Sequence, residues 1–326
     1  MPDMKNKLIR VWVLLLCLVP LGIGAQSTGF PSKAVRIIVP FPAGGSADAL
    51  ARVVGQELAK RWAQPVLIEN KPGGGTVIAG AMAAKSPPDG HTLLLIANSL
   101  TINAKLRTNM PYDGLRAFAP VAQLVRSPQV IAVQSASPYK TLADLLQDAK
   151  SKPGVLSYAT VGPATTQHMA GEAFKFATGT NFTYVAFAGG GLAANAVSGG
   201  HVTMVLTNLN EVAGLLESGK LRPLAVTSRE RLDVLPQVPT VIELGHKDYE
   251  AAVWYALAAP AGTDAETIQK IASELQRVLQ DPVTRTKLAN ASLYPDYLGP
   301  KELAHHIEKE FVRYGQIIDK AGIKLD

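Results

Sequence analysis

The chain has 326 residues, 18% of them charged, a formal net charge of +6 and one cysteine, Cys17. Its lysines and arginines are scattered, with no basic run interleaved with aromatics, which argues against a nucleic-acid partner. One cysteine rules out a disulfide framework, and about 300 residues beyond a leader exceed what a single core organises, so two lobes are expected.

Lys5, Lys7 and Arg10 precede an apolar run over 11–19, and Gly24-Ala25-Gln26 supplies the small residues of a cleavage site. This is the pattern of a secretory signal peptide, residues 1–25; the apolar run falls short of the roughly 20 residues a membrane span needs. The bulky leucines before Cys17 do not suit a lipid-attachment site. Cleavage after Ala25 leaves no cysteine, hence no thiol nucleophile, and a net charge of +4 that biases encounter towards anions.

The mature chain opens on its most informative stretch. Residues 35–39 form a β-branched run too short for a helix, Pro40 and Pro42 stop it, and Gly44-Gly45 frees the backbone. From Ser46 the apolar residues Ala47, Leu50, Ala51, Val54 and Leu58 recur at helical steps. A strand, a glycine turn and a helix N-terminus direct unpaired N–H groups at one point, which suits a small anion. The nucleotide patterns G-x-x-x-x-G-K-[ST] and G-x-G-x-x-G are missing, so no cofactor is expected and the anion is smaller than a pyrophosphate.

A second strand over 65–68, a glycine turn at 73–75, a small-residue helix over 77–84 and a third strand over 92–97 follow. The third strand ends in a polar cluster containing Ser99 and Asn103, at the sheet edge where open parallel sheets bind ligands. Extended segments over 118–125 and 129–133, parted by Ser127-Pro128, mark the crossing into a second lobe. There a capping box at Thr141 and Asp144 opens a helix. Strand 156–160 then runs through a Gly-Pro turn into a helix starting at Thr165, Thr166, Gln167 and His168, repeating the layout of the opening stretch. A strand over 182–187, a glycine turn at 189–191, a strand ending at Thr207-Asn208 and a strand over 221–227 complete this half. The chain returns near Ser228, adds a strand over 253–259, and closes with helices opened by a capping box at Thr263 and Glu266 and by Pro282 and Pro300. The lobes therefore comprise 26–126 with 228–326, and 127–227.

Facing helix N-termini can hold one anion through the N–H groups of Gly45, Ser46, Ala47, Thr166, Gln167 and His168. Asp48 reads either as a local helix cap or as a ligand contact, and His168 either as a ligand donor or as a core-facing residue. Ser99, Asn103 and Asn208 either orient a ligand's distal end or satisfy loop backbone. Catalysis finds no support: no G-x-S-x-G elbow occurs, and adjacent His305-His306 diverge on a helix rather than forming a metal pair.

The stretch from Pro31 to Arg52 resembles the N-terminus of the Bug family, the periplasmic solute receptors of tripartite tricarboxylate transporters. Asn70-Lys-Pro-Gly-Gly-Gly75, Pro88-Asp-Gly-His-Thr92, Phe118-Ala-Pro-Val121, Val238-Pro-Thr-Val-Ile-Glu243 and the run from Trp254 to Gly262 carry the resemblance along the mature chain. It implies an α/β, two-lobed periplasmic-binding-protein fold of the type II, Venus-flytrap kind, each lobe a mixed, mainly parallel sheet flanked by helices. It also implies a monomeric, non-enzymatic receptor for a small organic acid, working with membrane transporter subunits; a sensory receptor docking on a signalling protein is the alternative, and a periplasmic hydrolase a weaker one. The family's first binding loop falls on Phe41 to Asp48, including Ala43, Gly44 and Gly45, and its second on Gly162 to Met169, with Thr165 or Thr166 in the hydroxyl place. The chain departs from the family at Phe187-Ala188-Gly189, where Tyr-Lys-Gly is frequent, and at Thr203 and Asn208, near which the family often has an aspartate.

Overall fold

The computed structural model describes residues 29–324, so the expected signal peptide and Cys17 lie outside the described residues. Strand β1 (Val35–Val39), helix α1 (Ser46–Trp62), strand β2 (Val66–Asn70), helix α2 (Val77–Ala84), strand β3 (Thr92–Ala97) and helix α3 (Ser99–Leu106) come first. The β1 residues Val35, Ile37, Ile38 and Val39 are all fully buried, as a continuous apolar run requires when helices cover both faces of a sheet. Helix α1 buries Ala47, Leu50, Ala51, Val54 and Leu58, the residues its sequence spacing selects.

Strand β4 (Phe118–Gln134) follows as one continuous element of 17 residues, not two segments broken at Ser127-Pro128. Pro128 falls after the last pairing with the strand at Arg126↔Tyr294 and before the first at Gln129↔Asn208, a changeover where a missing N–H is tolerated. Helix α4 (Leu142–Ser151), β5 (Ser157–Val161), α5 (Thr166–Thr178), β6 (Thr183–Phe187), α6 (Gly190–Ser198), β7 (Met204–Asn208), α7 (Leu209–Glu217) and β8 (Leu221–Val226) come next. Then come β9 (Ala252–Pro260), α8 (Ala265–Gln280), α9 (Pro282–Asn290), β10 (Tyr294–Leu298) and α10 (Pro300–Ala321). Helices α3 and α7 and strand β10 are not anticipated by the sequence reading, because the polar residues opening both helices resemble loop.

The Thr141–Asp144 capping box forms with both reciprocal bonds. The expected box at Thr263 is displaced by one residue: Asp264 caps α8 by accepting from the N–H groups of Glu266 and Thr267, while the Thr263 hydroxyl donates to the Pro260 carbonyl. An aspartate one step nearer the first turn offers a charged acceptor to two orphan donors and outcompetes the threonine.

The first sheet has the order β2-β1-β3-β9-β4, with β10 on the other edge of β4; the second has the order β6-β5-β7-β4, with β8 also on β4. Pairing is parallel within β1, β2 and β3 and within β5, β6 and β7, and antiparallel wherever β4 or β9 takes part. The first half of β4 pairs with β9 from Phe118 to Pro128, and the second half with β7 from Gln129 to Val133. Thr227 ties the return crossing to this point, its hydroxyl accepting from Gln129 N–H and donating to the Ala251 carbonyl. Helices cover both faces of each sheet, giving one core of β1, β3, α1 and α8 residues and another of β4, β5, α4 and α5 residues. Helix α10 spans the halves: its Tyr314 and Ile318 pack with Ile102 of α3 and with Ala164 and Met169 at the start of α5.

The α5 backbone approaches the sheet closely at Gly171, where a Cβ would meet the ring of Tyr158. That ring is fully buried and its hydroxyl donates to Glu172 at 2.7 Å, so it cannot swing aside. Gly171→Ala should therefore destabilise the fold by about 1–3 kcal/mol through overpacking, measured as a lower urea midpoint.

Candidate functional site

The first βα turn is shaped by Gly44, whose φ of +85° only glycine adopts readily. Its N–H donates to Asp48 Oδ2 at 3.0 Å, and Arg52 Nε donates to the same oxygen at 2.9 Å. Burial alone would raise the Asp48 carboxyl; the bonds from Arg52 and Gly44 overcome it and hold the group below the usual carboxylate range. Asp48 thus shapes the turn locally, and Arg52, the nearest cation in sequence, is committed to it. Gly45 is the N-cap of α1 and has no side chain to offer, so the N–H groups of Ser46, Ala47 and Asp48 carry no side-chain cap. Ala43, Gly44 and Gly45 are exposed, whereas Ser46 is buried with its hydroxyl oxygen unpartnered. Phe41 stands edge-on to Tyr255 of β9, with ring centroids 6.2 Å apart.

The second turn is organised differently. Thr165 caps α5, its hydroxyl accepting from His168 N–H at 3.2 Å and donating to the Gly162 carbonyl at 2.9 Å. His168 N–H, expected among the ligand donors, is therefore already engaged, which leaves Thr166 and Gln167 as the open amides of this terminus. The His168 ring stacks on Tyr184 of β6 at 4.1 Å between centroids and is buried, so it packs as a core residue. Its Nδ1 nevertheless has no partner. Burial pushes its pKa down to about 4, with Lys175 adding to the effect and Glu172 opposing it.

The third turn carries an acid that the sequence reading overlooked. Gly189 is the N-cap of α6, and the N–H of Gly190 is directed at the carboxylate of Glu211 on α7. Glu211 Oε2 also accepts from the Thr207 hydroxyl and from Asn208 N–H. A Cβ at Gly190 would run into Glu211 and Thr207, so glycine is what lets the acid reach the start of α6. The signal for Glu211 was present: Asn208-Leu-Asn-Glu211 has capping-box spacing directly after a strand.

At the strand changeover, Gln129 and Asn208 are direct cross-strand partners, fully and almost fully buried. While the Asn208 side chain caps α7 in a reciprocal box with Glu211, both amide atoms of Gln129 lack hydrogen bonds. Such atoms are rarely left unmet, so water or a ligand is needed to supply their partners. Asn103, by contrast, is fully engaged: its amide donates to the Gly75 and Ser99 carbonyls and accepts from Arg107. It staples the second glycine turn to α3, where Ser99 occupies a buried first-turn position.

Tyr255 is a further residue that the sequence reading overlooked. Phe41 packs edge-on to its ring; burial first, then the Glu211 charge, raises its pKa well above the usual tyrosine value. Phe41 and Tyr255 thus stand beside the first turn, and Glu211 caps the Gly189 turn. Thr165, Thr166, Gln167 and His168 form a further group, beside α3 with its Ser99 and Asn103. Gln129 and Asn208 lie on the strands that join the halves. Among the described residues no three histidine, cysteine or acidic side chains stand close enough to hold a metal. A groove of about 760 Å³ between α8, β10 and α10 is lined by Ala119, Ile268, Tyr297 and Leu298 and by none of the predicted residues.

Comparison with known proteins agrees with this architecture. Residues 50–323 match the model of the tripartite tricarboxylate transporter family receptor. Protein BugT of Bordetella pertussis is 30% identical over 322 residues, covering 98% of this chain and 99% of its own. A solved structure described as a periplasmic transporter is 35% identical, with a TM-score of 0.82 over 91% of this chain and 100% of its own. A structure of an R. palustris protein with adipate is 31% identical, with a TM-score of 0.82 over 90% of this chain and 99% of its own.

His168 offers a test of the site's burial. Its folded pKa of about 4 lies below the ordinary 6.5. As pH falls from 6.5 to 4 the unfolded chain takes up a proton that the folded one refuses, so the contribution of His168 is full above 6.5 and is lost across that window. An NMR titration of the ring should show a midpoint near 4; a midpoint near 6.5 would mean the ring is solvated.

Proposed function

The chain belongs to the tripartite tricarboxylate transporter receptor family, also called the Bug family, and on that premise we propose that it captures a small organic carboxylate between its halves. The family is one of solute-binding receptors, not enzymes, and its relatives include periplasmic proteins. No helix among the described residues is long and apolar enough to cross a membrane. In this reading the signal peptide at 1–25 directs export to the periplasm. The lobes at 26–126 with 228–326 and at 127–227 close on the ligand, and the closed form delivers it to membrane transporter subunits of the tripartite tricarboxylate type.

The observation that carries the proposal is the pairing of open amides with unmet buried polar atoms. Ser46, Ala47 and Asp48 on α1 and Thr166 and Gln167 on α5 present N–H groups with no side-chain cap. Ser46 Oγ in the first turn of α1, His168 Nδ1 in the first turn of α5 and the Gln129 amide at the strand changeover are buried without partners. A carboxylate brings acceptors to the amides, and charge-assisted bonds of about 1.5–3 kcal/mol each replace its hydration. Because Arg52 is bound to Asp48, the anion is held by main-chain dipoles and not by an arginine clamp. The adipate bound by the R. palustris relative supports a carboxylate as the class.

Proline removes the amide donor of each turn, and Ser46→Ala, which deletes the hydroxyl and keeps the N–H, separates the two contributions at Ser46. Ser46 and Thr166 are the first residues of their helices, where proline is tolerated, and the residues before them are extended, as a following proline demands. Ser46→Pro and Thr166→Pro should each fold and weaken carboxylate binding by roughly tenfold or more in calorimetric titration, the loss of one charge-assisted donor. Unchanged affinity in both folded variants would overturn the proposal.

A further inference from the structure

We propose that the last two turns of α10 clasp α5 when the halves close, so that Ile318 and Lys320 set how long a ligand is held without touching it. This rests on the carboxylate-receptor reading and adds positioning residues that lie outside the binding turns.

One end of α10 is anchored in the first half. Leu303 and Ile307 share a core cluster with Ile38, Leu94 and Trp254. Glu310, 6% exposed, accepts from Asn98 Nδ2 at 3.2 Å and from Trp254 Nε1 at 3.4 Å, and the Tyr314 hydroxyl oxygen accepts from Asn98 Nδ2 at 2.9 Å. Parting this network would strand buried polar groups, so the helix as far as Tyr314 moves with the first half.

The other end crosses to the second half. Tyr314 and Ile318 share one apolar cluster with Ile102 of α3 and, from the second half, with Ala164 and Met169. Lys320 Nζ stands 4.7 Å from the centroid of the Phe176 ring, within reach of a cation–π contact. Met169 and Phe176 lie about two turns apart on α5, so α10 grips that helix both beside its first turn and near its last.

These contacts belong to the closed arrangement. The halves are joined at the β4 changeover, and α3 and α5 each leave the carboxyl end of a strand, β3 in one half and β5 in the other. A rotation about the joint that parts those strand ends also parts Ile102, Tyr314 and Ile318 from Ala164 and Met169, and Lys320 from Phe176. Opening therefore returns apolar surface to water and loses the cation–π contact, and the cluster favours the closed state alone. Ala164 and Met169 bracket Thr165, Thr166, Gln167 and His168, so the clasp bears directly on the turn that carries the open amides.

The experiment is stopped-flow and calorimetric titration of the full chain, refolded after ligand stripping. Adipate, succinate and malate are the probes, and the one that the wild type binds most tightly is carried to the variants. Lys320 is exposed, so Lys320→Ala should leave the urea midpoint unchanged while raising Kd by about two- to fivefold, all of it in koff, because the clasp forms after encounter. Lys320→Arg keeps a cation over the ring and should restore the wild-type Kd. Ile318→Ala should raise koff by roughly tenfold or more, whereas Val312→Ala, exposed on the same helix, should change neither rate constant. Wild-type koff in Lys320→Ala and Ile318→Ala, or an effect confined to kon, would overturn the inference and leave the receptor reading intact. Binding of none of the three acids by the wild type would overturn both. Lys320→Ala carries the test if Ile318→Ala does not fold.

Discussion

One strand held in two sheets is the constraint on which the rest of the molecule depends. The first half of β4 pairs with β9 and β10 and the second half with β7 and β8, so the two halves of the chain share a single rigid ladder. The changeover at Ser127, Pro128 and Gln129 is pinned by Thr227, whose hydroxyl bonds both to Gln129 and to the carbonyl of Ala251. Because outgoing and returning chain cross side by side there, the carboxyl ends of β1, β3, β5, β6 and β7 can converge on the junction. Each of those ends leads into a helix N-terminus, and the proposed site draws its amides from them.

The chemistry of the site follows from what each helix start does with its orphan amides. The α1 start has glycine as its cap and leaves its donors open, whereas Thr165 at the α5 start takes one donor for itself. The α6 start is satisfied by Glu211 from the neighbouring helix. Three structurally similar turns thus differ in how their first amides are met: by no side chain, by a threonine hydroxyl and by a carboxylate. A half-buried acid held by three donors is a fixed cap of the α6 start and not a mobile contact.

Much of the fold was legible because its cues are local. The apolar steps of α1, the Thr141–Asp144 box and the prolines opening α9 and α10 all express short-range physics, and each element forms where its cue lies. The misreadings share a cause. Asn98, Ser99 and Asn208 carry polar side chains that suit both a loop and a helix start, and only the packing of α3 and α7 decides between them. Asn98 is retained at the head of α3 by Ala252, Glu310 and Tyr314, partners more than 150 positions distant.

The sequence by itself determined the secretory leader pattern, the α/β class, the family resemblance and the two glycine-bearing turns that begin α1 and α5. These depend on residues within one helical turn of each other, or on runs whose periodicity is visible in a line of text. Only the tertiary structure decided which donors are free, that His168 is stacked and neutral, that Asn103 is a staple, and that Glu211 caps the start of α6. Hydrogen-bond satisfaction and charge proximity are properties of contacts across the junction, and no local pattern along the chain records which residues a shared strand will bring together.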